Sequence, residues 1–102
     1  MLRESHLTPD ALAAMAERLR NLRATTGLSQ QKFATSFGLG HSQWANFESA
    51  KHRIGIDAAL TLRREMGVPL DWIYLGDTAC LPAALKDELR KAARWSTNQE
   101  TL

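Results

Sequence analysis

The chain has 102 residues, enough for one domain with a modest core and too few for two independently folded units. Hydrophobic residues make up 44% and charged residues 24%, and no apolar run approaches the roughly 18 residues of a membrane span, so a soluble protein is expected. A net charge of +2 permits a nucleic-acid partner without demanding one, and the single cysteine, Cys80, excludes an intrachain disulfide framework. The charged opening segment 1–7 lacks the apolar centre of a signal peptide, and with the lone cysteine it points to the cytoplasm.

Along the chain, Thr8-Pro9-Asp10 is a helix start: a hydroxyl cap, a proline in the first turn and a carboxylate at the dipole's positive end. Leu12, Met15, Leu19 and Leu22 follow at helical spacing until Gly27. Ser29 caps a second helix through Phe33, Ala34 and Phe37, ended by Gly38. A third follows Leu39-Gly40 and turns Trp44 and Phe47 inward. Lys51 to Gly55 is a basic loop, after which Ile56, Ala59, Leu60 and Met66 outline a fourth helix closed by Gly67. Leu70 to Leu75 forms a fifth short helix or turn ending at Gly76.

Leu81-Pro82 opens another amphipathic helix whose stripe is Leu81, Leu85, Leu89 and Ala92, with Lys86, Arg90, Lys91 and Arg94 largely elsewhere. Strand-type alternation is absent, so the expected fold is all-α: about five short helices and a C-terminal amphipathic helix. The expected organisation is an N-terminal tail over 1–7, a helical domain over 8–78, the C-terminal helix over 79–95 and a flexible tail over 96–102.

Two short helices joined by Gly38-Leu39-Gly40 have the tight turn that lets a second helix project, but glycine-broken helix pairs occur in many all-α proteins. The local residues are more specific: Gly27-Leu28-Ser29-Gln30-Gln31-Lys32-Phe33-Ala34, then Phe37-Gly38-Leu39-Gly40-His41-Ser42-Gln43-Trp44, then Phe47-Glu48, and finally Gly67-Val68-Pro69-Leu70-Asp71-Trp72-Ile73. In order and spacing they resemble the lambda-repressor-like, or XRE-type, helix-turn-helix family over about residues 19–76. Trp44 stands where that family usually has a small aliphatic residue, Ala50 where it has glycine, and Ile54 where proline is common. Ala50 bears on the loop's path, because alanine resists the left-handed conformation that glycine accepts.

With Trp44 and Phe47 buried, the opposite face of the third helix carries His41, Ser42, Gln43 and Asn46, side chains able to hydrogen-bond base edges. The resemblance implies that Gln30 and its neighbour Gln31, at the start of the second helix, meet a phosphate, with Lys51, His52 and Arg53 as further backbone contacts. It also implies an ion pair between Arg23 and Glu48 that fixes the third helix's orientation. The expected activity is therefore sequence-specific binding of a double-stranded DNA operator in transcription regulation, by a homodimer acting as a repressor. The leucine stripe serves either as a dimer face or as core folded back on the first and fifth helices.

No enzyme, metal or cofactor is expected, because His6, His41 and His52 lack metal-ligand spacing, Cys80 has no adjacent partner and no phosphate-cradling glycine loop occurs. No small-molecule ligand is expected either. The rival reading is a protein-interaction module, such as an antitoxin that binds its partner through the Leu81 to Ala92 stripe.

Overall fold

A computed structural model describes residues 8–100, with side chains through Arg94. The helices are α1 (Pro9–Ala24), α2 (Gln30–Ser36), α3 (His41–Glu48), α4 (Ile56–Met66), α5 (Leu70–Leu75) and α6 (Ala83–Glu100), and no strand occurs among the described residues. The fold is the expected all-α bundle.

The caps act as the residue types demand. Thr8 accepts a hydrogen bond from the Ala11 N–H, Pro9 opens α1, and Ser29 accepts from the Lys32 N–H at the start of α2. The axis of the bundle is α1, which packs against α3, α5 and α6; α2 packs on α3, and α4 on α5. Met15, Leu19 and Leu22 of α1 are buried with Phe33, Trp44, Phe47, Leu62, Val68 and Ile73. Phe33 is the aromatic hub, its ring centroid 4.8 Å from those of both Phe37 and Trp44.

One face differs from the sequence expectation, and another takes one of the two roles the sequence leaves open. In α4 the buried positions are Ala58, Ala59 and Leu62, whereas Ile56 and Leu60 are 55% and 44% exposed. Period counting favours the larger apolar side chains, but the inward face is the one whose alanines let the helix approach its neighbours closely. At the other end of the chain, Leu81 and Leu89 are buried and Leu85 is half-buried, all in the same core. The stripe thus packs on the chain's own α1, the second of the two roles the sequence allows for it.

Helix α6 runs to Glu100, into the stretch 96–102 that the sequence suggests is a tail. Neither glycine nor proline interrupts residues 83–100, so nothing local stops the helix at residue 95. Residues 101 and 102 and the expected tail 1–7 lie outside the described residues.

Candidate nucleic-acid interface

The turn between α2 and α3 follows from one glycine. At the end of α2 the Leu39 N–H donates to the Ala34 carbonyl at 2.8 Å and the Gly38 N–H to Thr35 at 3.2 Å, with Gly38 at φ +69°. This doubly bonded left-handed cap stops α2 within one residue and sends the chain sideways. Gly40 then begins α3 in extended backbone with no side-chain cap, leaving its first-turn N–H groups open.

The far end of α3 is fixed by a carboxylate. Glu48 is buried, with its side chain 2% exposed, and receives hydrogen bonds from three side chains. Arg23 donates through Nε at 2.7 Å and Nη2 at 3.0 Å, Gln30 donates through Nε2 at 3.0 Å, and the Trp44 indole N–H completes the set. A carboxylate this deep would be costly without such donors. The remaining Arg23 amine reaches the Leu28 carbonyl, and Arg20 donates to the Glu48 carbonyl at 2.6 Å. Two arginines of α1, the first residue of α2 and the last turn of α3 therefore form one polar joint.

The opposite end of α3 is free. His41, Ser42 and Gln43 are exposed and Asn46 is half-buried, so the four expected base-contacting residues occupy the helix's outer side. Gln31, Lys51, His52 and Arg53 are exposed as well. Gln30 is placed differently: half-buried, it commits its amide nitrogen to Glu48. An amide carries two N–H donors, so the other is left for an external acceptor.

The basic loop is held in one path. Ala50 adopts φ +64°, the conformation glycine would take there, and the Lys51 N–H donates to the Asn46 carbonyl at 3.0 Å, with the Ala50 N–H on Phe47 at 3.4 Å. The departure from glycine therefore leaves the cap intact and adds strain on the order of 1 kcal/mol. Downstream, Ile54 is buried and its carbonyl accepts the Tyr74 hydroxyl at 2.9 Å, which ties the loop to α5. Burial raises the Tyr74 pKa above its ordinary value, opposed in part by the positive charge of Arg53.

Against known families, the chain matches the helix-turn-helix domain over residues 16–77, more than half its length. The chain belongs to this family. The match supports the XRE-type resemblance, and a helix-turn-helix domain is a DNA-binding type of module. No curated protein and no solved structure matches the chain.

Within this helix-turn-helix domain, three contributors are not apparent from the sequence. Trp44 has the pattern of a core filler, yet its N–H serves Glu48; a tryptophan four residues before a buried glutamate on one helix is the available signal. Tyr74 gives no local hint, because its partner Ile54 is 20 residues away. Arg18 stands in the sequence as one of a basic cluster, but its guanidinium donates to the Ile73 carbonyl through Nε at 3.1 Å and Nη2 at 3.0 Å. No helix among the described residues is long and apolar enough to cross a membrane.

Proposed function

We propose that the protein binds a double-stranded DNA operator sequence-specifically and regulates transcription as a repressor in the cytoplasm. The observation that carries this is the division of α3: one end is cross-linked to α1 and α2 through Glu48, and the other presents His41, Ser42 and Gln43 to solvent. A recognition element needs both properties, since a base contact discriminates only if the helix that offers it cannot re-aim. In this reading Gln43 and Asn46 read base edges, joined by His41 and Ser42. Lys51, His52, Arg53, Gln31 and the spare Gln30 N–H contact phosphates.

A helix of eight residues reads only a few base pairs. We therefore propose binding as a homodimer to two half-sites about one helical turn apart. The rival reading, partner capture through the C-terminal stripe, has less support, because Leu81 and Leu89 pack largely into the chain's own core.

Selection from a pool of randomised duplexes tests the proposal. Enrichment of one pseudo-palindromic motif with half-sites about 10 base pairs apart is expected. A pool that stays random after selection by folded protein contradicts sequence-specific binding. A reporter gene placed behind the selected motif should then be turned down by the wild-type protein.

A further inference from the structure

Away from the helix-turn-helix, α1, α5 and the start of α6 border an open surface crevice of about 510 Å³. Its apolar side is the outer edges of Trp72, Leu81 and Leu89, which are 6–8% exposed, and its polar side is Arg18, Lys86 and Asn21. No carboxylate among the described residues lines it; Arg90, at the edge, is paired outside with Asp87 at 3.3 Å.

Neither Arg18 nor Lys86 forms an ion pair among the described residues. Arg18 is half-buried, and its acceptor is the neutral Ile73 carbonyl. Burial accordingly lowers its pKa, with Glu17 only partly opposing that effect. The guanidinium is held against the backbone at the end of α5: a Cβ added to Gly76 would lie 3.2 Å from Nη1. Lys86 is also half-buried and has no ion-pair partner among the described residues. Two fixed or half-fixed positive charges thus lie beside the exposed edges of one aromatic and two aliphatic side chains.

We propose that this crevice binds a small organic acid, its carboxylate between Arg18 and Lys86 and its apolar body on Trp72, Leu81 and Leu89. The volume lies within the range of small-molecule sites, and the mix of apolar wall and a few convergent polar groups is the usual one. A bare inorganic anion would satisfy the charges and leave the wall unused; a neutral aromatic would do the reverse. Such a ligand bridges α1 and α6 and strengthens their docking. The site is not expected from the sequence, because Arg18, Trp72 and Lys86 come together only through the packing of three helices. It does not rest on the DNA-binding proposal.

The test titrates the full chain with benzoate, hexanoate, benzyl alcohol and inorganic phosphate at constant ionic strength, read by amide chemical shifts and thermal unfolding. Benzoate and hexanoate should shift the amides of Arg18, Trp72, Lys86 and Leu89 saturably and raise Tm, whereas benzyl alcohol and phosphate should not. Lys86→Gln, at a half-exposed position, should leave Tm without ligand unchanged and weaken benzoate at least about tenfold, the value of one charge-assisted hydrogen bond. Absence of saturable shifts with either acid overturns the proposal. So does an equal response to phosphate or benzyl alcohol, or benzoate affinity retained in folded Lys86→Gln.

Discussion

The two ends of α3 are built in opposite ways. Its last turn is buried and joined to α1 and α2 by side-chain hydrogen bonds, and it is followed by a double-bonded cap. Its first turn has no side-chain cap and carries exposed polar residues. The difference teaches where stability and recognition are stored. Substitutions at Glu48 should act on folding first and on DNA second, while substitutions at Gln43 should act on DNA alone.

The sharpest way to break that contrast is at Glu48. Removing the carboxylate strands a partly buried Arg23, 24% exposed, along with the Gln30 and Trp44 donors, so Glu48→Ala should destabilise by about 3 kcal/mol. A double-mutant cycle of Arg23→Met and Glu48→Gln, followed by thermal unfolding, should show coupling; strictly additive effects would dissolve the joint. Trp44→Phe is subtler. It keeps an aromatic ring against Phe33 but deletes the indole donor, at an expected cost of about 1–2 kcal/mol.

At the cap that follows α3 the expected sign reverses. Ala50→Gly relieves the left-handed strain at φ +64° and gives back part of the gain as chain entropy, so chemical denaturation should show stabilisation of roughly 0.5–1 kcal/mol. Destabilisation would mean that the alanine methyl makes contacts worth more than the strain. The smallest effect is at Tyr74, the only tyrosine, whose ionisation can be followed by absorbance alone. Its midpoint should lie above the ordinary value of about 10. Because the folded-state pKa is raised, its contribution to stability is complete below about pH 10 and is lost as pH rises through the folded value; Tyr74→Phe should flatten that alkaline limb.

What the sequence made legible was local. Thr8, Ser29, Gly38 and Gly67 mark helix ends through chemistry that acts within a few residues, and each stands where the structure has its cap or turn. The family pattern carried the Arg23–Glu48 pair across 25 residues, which no spacing rule would have done. What stayed hidden depends on packing between distant segments. The inward face of α4 is set by small alanines rather than by Ile56 and Leu60, and only the packing shows which of its two possible roles the leucine stripe takes against α1. Gln30 illustrates the same limit inside the site: its position was legible, but not its hydrogen bond to Glu48.

The division of labour along α3 and its flanking loop is tested most directly by DNA binding at several salt concentrations, with the selected duplex and a scrambled one. Folded Gln43→Ala and Asn46→Ala should lose about 1–3 kcal/mol on the selected duplex and almost nothing on the scrambled one. Lys51→Ala and Arg53→Ala should weaken both duplexes alike and reduce the salt slope by roughly one unit for each phosphate no longer neutralised. Full discrimination retained by folded Gln43 and Asn46 variants would contradict the claim that α3 reads the sequence.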